Sequence, residues 1–452
     1  MRRTAKHNAA QIAFSDFTGG INVMSDGDMI AQNELQVCQN LWFAGFQRSL
    51  SPRGGLSKPK VTFDNEVMSV YYDVDTNTFL TFTIDGSIYR VETIDKAPEK
   101  IGSLTGTRRP ICAKFQDRIW IASGDYLQSY DYAAKDSIST ILGSPKCDIV
   151  FQRFARLCVA MTGSDRITYS ATGDGETWST DDNDASSGQW IDVGYGDSGD
   201  IIAVVPLATD LMIIKNNGLI YQLTGDAEVS SWAVYRIATD TDAVGRQCAM
   251  SVGNDVVFIT RGGLRTLATT MDYGNIATGD VGEKFTALVT QGQYEPRLFN
   301  LRRRKLLLIR PTADWHYMIA FNYALGSATT LQFAIPVTDI VETLDKVIVA
   351  SGSDLYELSD TIGDDNGQPI LFRMKFKDTV STEKIITRAV DTDADAPSAG
   401  KLHLKLDSVE VDMPTNTRRK IRCNHTTPKM TLELFSSTPF SPKHVIVEVA
   451  DL

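Results

Sequence analysis

Seven times between residues 66 and 360 the chain repeats one unit: an apolar strand, a short gap, a second apolar strand, a tight turn and a third strand. A fixed-period array of short strands, about 40 to 55 residues per unit, signifies a β-propeller, because each unit covers its faces only by stacking on its neighbours. The middle strands are Phe79–Ile84, Arg118–Ser123, Arg156–Met161, Leu211–Asn216, Asp255–Thr260, Lys305–Arg310 and Lys346–Ser351. They are nearly continuous apolar runs, as expected of strands covered on both faces. Turns such as Asp85-Gly86, Asn217-Gly218 and Gly352-Ser-Asp354 follow them, and these residues tolerate the positive φ of a tight hairpin. First strands precede each pair, as at Val67–Tyr72, Ile201–Val205 and Val337–Val341. A fourth strand is visible in some units, as at Trp232–Ile237. The count is seven blades, with six or eight compatible with the pattern.

The ends lie outside this period. Residues 1–60 carry apolar residues at helical spacing in Asn33-Glu-Leu-Gln-Val-Cys-Gln-Asn-Leu-Trp42, which predicts a short helix between Gly-rich stretches. Residues 61–365 form the propeller. Beyond Gly363–Pro369, alternating strands at Leu371–Phe376, Lys401–Leu406, Met430–Phe435 and His444–Val449 predict a small antiparallel β-sandwich over 366–452.

Composition narrows the class of protein. The 452 residues suffice for more than one domain, and the longest apolar stretches are of strand length, so no membrane span is expected. The basic start, Met1-Arg-Arg-Thr-Ala-Lys, lacks the apolar stretch of a secretory signal. Cys38, Cys112, Cys147, Cys158, Cys248 and Cys423 are scattered and read as reduced thiols of a chain folded in a reducing cytoplasm. Charge is uneven: residues 1–60 hold 7 Lys/Arg against 4 Asp/Glu, residues 366–452 hold 13 against 11, and the middle holds 25 against 41. An acidic propeller does not grip phosphates, although it is compatible with DNA passing a repelling wall.

Candidate chemistry is thin. Gly196-Asp-Ser-Gly199 matches the tetrapeptide around a chymotrypsin-like nucleophile, but no His is near it in sequence, and it reads as an inter-blade loop. Asp73-Val-Asp-Thr-Asn77 opens like a calcium loop, yet Thr78 and Ile84 stand where Gly and Glu are required, leaving a hairpin turn. His403, Cys423, His425 and His444 lack zinc-ligand spacing. The runs Arg302–Lys305 and Arg418–Lys420 read first as solvated turn residues and second as patches for an acidic partner. Tyr169-Ser-Ala-Thr-Gly-Asp-Gly-Glu-Thr-Trp178 approaches the Asp-box of sialidase propellers, one residue short. That box locks a turn, whereas a sialidase also needs an Arg cluster and a Tyr nucleophile, a set the sequence does not assemble. No catalytic residue, cofactor or metal is therefore expected.

Phe17-Thr-Gly-Gly-Ile-Asn22, Asn40 and Leu50-Ser-Pro-Arg-Gly-Gly55 resemble the opening of the tail nozzle proteins of short-tailed bacteriophages, also called tail hub, tail stabilisation or tail tubular B proteins. Asp242–Leu264 is similar to that family's central blades, and the closing sandwich fits its ending. The chain lacks the large insertions of some nozzles. The resemblance implies a structural ring, a homohexamer, below the portal and adaptor proteins of a virion tail assembled in the host cytoplasm. Double-stranded DNA would pass along its lumen without specific binding, and tail fibres or spikes are further partners it allows. Phe17, Gly19, Gly20, Asn22, Asn40, Arg53 and Gly54 would then serve the adaptor and ring interface, since they lie outside the propeller period. The alternative is a glycan-binding or glycan-cleaving propeller acting as a host-receptor module.

Overall fold

The computed structural model describes residues 10–451 except 133–137, 182, 240, 268–280, 291–295, 312–313 and 398–399. The basic opening of the chain lies outside the described residues. Seven antiparallel sheets succeed one another along the middle of the chain, and each begins with an inner strand that abuts the inner strands of neighbouring sheets. These inner strands are Val67–Asp73, Ile111–Phe115, Ile149–Arg153, Ile201–Leu207, Ala249–Val252, Arg297–Leu301 and Asp339–Glu342. Each of the seven apolar middle strands pairs next to its inner strand, so the molecule is a seven-bladed β-propeller.

The reason for the continuous apolar runs is visible in the first blade. Leu80 and Phe82 point into a cluster with Ile119, Ile121 and Tyr130 of the second blade. Phe79, on the opposite face of the same strand, packs with Ile348, Ala350 and Leu355 of the seventh. Successive side chains of a strand point to opposite faces, and here both faces meet another sheet, so no position is left for a polar residue facing water. The same arrangement links the second blade to the third through Trp120, Leu157 and Val159, and the third to the fourth through Cys158, Ile167 and Leu211.

The ring closes with residues from the beginning of the chain. Gly55–Leu56 and Val61–Thr62 pair with Asp354–Ser359 and supply the outer edge of the seventh blade. Such closure ties the first blade to the last by backbone hydrogen bonds.

The spacing in Asn33–Trp42 does not give a helix. Glu34–Leu35, Val37–Gln39 and Leu41–Phe43 are short strands instead. Val37–Gln39 lies between two sheet edges, parallel to the outer strand of the sixth blade at Thr330 and antiparallel to Phe372–Lys375. Cross-strand pairing on both sides overrides a local helical spacing, and the apolar residues are buried because sheets cover them rather than because they share a helix face. The result is a nine-stranded sheet running from the sixth blade into the C-terminal strands.

A second sheet, made from Thr379–Asp395, Arg419–Met430 and Ser441–Asp451, faces those C-terminal strands. The strand Lys401–Leu406 alternates between covered Leu402, Leu404 and Leu406 and more open residues, the pattern of a sheet with one buried face. Ala10–Phe14 adds an edge strand to the second sheet, and Phe14 and Phe17 both touch Phe376 in the shared core. Residues 10–62 therefore form no body of their own. They are distributed among the sandwich, the sixth blade and the seventh.

Candidate functional site

The seven residues expected to face a partner are used within the chain. Arg53 is the clearest case. Its side chain is 0 % exposed and lies against Asp365, with Nη1 donating to Oδ1 at 2.9 Å and Nη2 to Oδ2 at 2.6 Å. Nε donates to Asn40 Oδ1 at 2.9 Å, Nη1 also donates to Gly54 O, and Nη2 to Gln332 O. All five N–H groups of the guanidinium are engaged, and its plane covers Phe333 at 4.3 Å. This one side chain joins the N-terminal segment to the sixth blade and to the linker after the seventh.

Asn40 completes the same cluster. It takes a left-handed backbone, φ 61°, which Asn tolerates better than most residues. Its Oδ1 also accepts from Gln332 N at 2.7 Å, and its Nδ2 donates to Leu371 O at 2.8 Å. Gly54 is buried against the Ser359 carbonyl, where a Cβ would collide with backbone. The other four residues form a separate turn. Phe17 packs on Phe376, Gly19 donates to Asn33 O, and Gly20 at φ 66° passes so near blade six that a Cβ would sit 2.6 Å from Ala328 O. Asn22 Nδ2 donates to Glu34 at 2.9 Å, and Glu34 pairs with Lys284 at 2.8 Å. Burial opposes the charge on Glu34, but Lys284, the Ala31 amide and Asn22 outweigh it and hold the carboxyl below its usual range. The expectation of an open interface at these positions is corrected: apart from half-buried Asn22 they are buried, because the strands around them need their hydrogen bonds and volume. Large apolar side chains left exposed in the same stretch of sequence are Met24, Met29 and Phe46.

The other motifs resolve into turns. Gly196–Gly199 lies between the third and fourth blades, where Asp197 accepts from Lys215 Nζ at 2.6 Å and from Tyr221 OH at 2.7 Å. Asp73 accepts from Thr76 N and Oγ1 in the hairpin after the first inner strand. In the near-Asp-box, Asp174 accepts from Glu176 N and Thr177 Oγ1 while Trp178 Nε1 donates to Gly175 O, locking the connection between Arg166–Tyr169 and Gln189–Asp192. His403 pairs with Asp412 and His425 with Asp407. Among the described residues no group of three or more His, Cys, Asp or Glu is placed to hold a metal ion, and no helix is long and apolar enough to cross a membrane. The basic runs also have partners: Arg303 pairs with Glu342, Arg304 with Asp360 and Arg418 with Asp391.

One charged constellation was not legible as a motif. All inner strands start at the same mouth of the propeller, so residues far apart in sequence converge there. Arg109 pairs with Asp339 at 2.6 Å and donates to Ser69 Oγ at 3.2 Å. Arg246, from the start of the fifth blade, donates to Asp148 O at 2.7 Å and to Arg109 O. Arg108 contacts the Asp148 carboxylate. These side chains link blades two, three, five and seven across the axis. Arg310 reaches the same mouth, donating to Val337 O at 2.8 Å and Thr338 O at 3.0 Å, with Trp315 stacked at 4.5 Å. The signal in the sequence is positional: Asp339 opens an inner strand, and Arg109, Asp148 and Arg246 each lie within three residues before the start of one.

No family model matches the chain, and no curated protein matches it. Among solved structures, the extracellular domain of BT4673 from B. thetaiotaomicron is similar at 11 % identity and TM-score 0.48, over 89 % of this chain and 61 % of that one. This chain thus spans less than two thirds of that protein's length. Raptor from Chaetomium thermophilum has a TM-score of 0.47 at 12 % identity, over 68 % of this chain and 29 % of that one. BamB from Moraxella catarrhalis has a TM-score of 0.42 at 11 % identity, over 71 % of this chain and 94 % of that one.

Proposed function

We propose that the protein is an architectural component of a bacteriophage tail, a nozzle ring below the portal and adaptor that conducts double-stranded DNA during ejection. The observation that carries this reading is the seam. The residues that resemble the nozzle family, Phe17, Gly19, Gly20, Asn40, Arg53 and Gly54, are spent on joining propeller and sandwich through shared sheets and a buried ion pair. A chain whose most family-like residues weld two β-structures together is suited to carrying mechanical load as one block. The acidic middle of the chain supports the same reading, since a wall rich in Asp and Glu does not retain phosphates by counterion release.

The geometry also limits the DNA path. Arg109 and Arg246 bridge the axis of the propeller, so the proposed path for the duplex is between copies of the chain rather than through a single propeller. In this ring, a homohexamer, the buried seam residues act on adaptor docking indirectly, by fixing the turn that displays Met24 and Met29. Phage particles assembled without the chain should package DNA but lack the lower tail ring and fail to infect. Complete, infectious particles made in its absence would refute the proposal.

A further inference from the structure

The C-terminal sandwich leaves one long strand edge open. Arg419–Met430 is the last strand of its sheet, paired with Thr379–Asp395 on one side and with no strand on the other among the described residues. It runs 12 residues, whereas the outermost strands of the first four blades run three to six. Only Met430, at its end, is buried. Such an edge is a row of unpaired N–H and C=O groups and a template for another strand, which proteins ordinarily keep short or cover.

Its charge is as unusual as its length. Residues 413–432 hold Arg418, Arg419, Lys420, Arg422 and Lys429 and no Asp or Glu, in a chain whose net charge is −11. Arg418 pairs with Asp391 at 2.7 Å, Lys429 with Asp378 at 3.0 Å, and Lys420 with Glu448. Arg419 and Arg422 are exposed and make no ion pair among the described residues. They bound a straight run opposite Thr392–Ala389, before the register shifts between Ala389 and Thr387. Like charges directly opposite each other are unfavourable, so two copies of this run repel when laid antiparallel. A strand bearing carboxylates has the reverse balance: its backbone completes the row of hydrogen bonds while its acids meet Arg419 and Arg422. Duplex DNA would answer the charge but not the backbone row, which favours a polypeptide.

We propose that Arg419–Arg422 is a docking edge for an extended acidic segment of a partner protein, which joins the sheet as its next strand. The two arginines are three residues apart and therefore point to opposite faces of the sheet, so the segment carries an acid on each face. The inference concerns the sandwich alone and does not depend on a tail function.

The probe is a fluorescein-labelled peptide, Thr-Val-Glu-Thr-Val-Glu-Val-Thr, whose glutamates have the spacing of the arginines, titrated with the full-length protein and followed by anisotropy. A control peptide with Pro in place of each Val keeps the charge and loses backbone donors. The first peptide should bind, the Pro peptide should bind about tenfold more weakly or worse, and Arg419→Glu/Arg422→Glu should weaken the first by about tenfold or more. Amide exchange within Arg419–Cys423 of the wild type should slow when the first peptide is bound, a readout that needs no variant. Equal binding of the two peptides, tighter binding of a short DNA duplex than of the first peptide, unchanged binding by the variant, unslowed exchange, or no binding to the wild type would each overturn the assignment.

Discussion

Arg53 shows how a single side chain can carry the joint between two parts of a fold. Arg53→Met keeps much of the volume over Phe333 but leaves Asp365, 1 % exposed, as a buried carboxylate without its cation. Breaking one side of a buried pair costs about 3 to 5 kcal/mol, so urea unfolding of this variant should show a loss of that size. Arg53→Lys should recover only part, since an ammonium cannot supply the five-donor fork. The double variant Arg53→Met/Asp365→Leu should be milder than Arg53→Met alone, because removing both charges removes the stranded one. A loss below about 1 kcal/mol for Arg53→Met would show that the seam does not rest on this pair.

At the scale of elements, the propeller period was legible and the seam was not. The middle strands of the blades announce themselves because both faces need apolar residues, as Phe79 and Leu80 illustrate by packing on different neighbours. Val37–Gln39 carries no such signature: a three-residue strand held by edges from residues 330 and 373–375 depends on partners about 300 residues away, and its apolar spacing imitates a helix. For the same reason Phe17 and Arg53 read as free residues outside the repeat, whereas the fold closes over them. The mouth charges were hidden differently, since Arg109, Asp148, Arg246 and Asp339 belong to four blades and meet only through the propeller's geometry. Removal of residues 1–30 tests the seam as an element. It takes away the edge strand Ala10–Phe14 together with Phe14 and Phe17 from the sandwich core. Hydrogen exchange should then accelerate in the sandwich strands after residue 378 while Thr78–Thr83 and Arg118–Ala122 keep their protection. Unchanged exchange across the sandwich would mean that the N-terminal strand is an appendage.

On the scale of the whole molecule, the ring-closed propeller and the sandwich share a nine-stranded sheet, and strands between residues 10 and 62 are spent in making that continuity. The axis of this block is bridged by its own arginines, so the nozzle proposed above requires several copies around a separate lumen. Electron microscopy of the purified chain mixed with the portal and adaptor proteins that the proposed reading requires tests that reading most directly. The account predicts a six-fold ring seated on the adaptor, with a central opening between propellers wide enough for duplex DNA. Single propellers that leave the adaptor bare, or a ring whose only openings are the axes of the individual propellers, would contradict it.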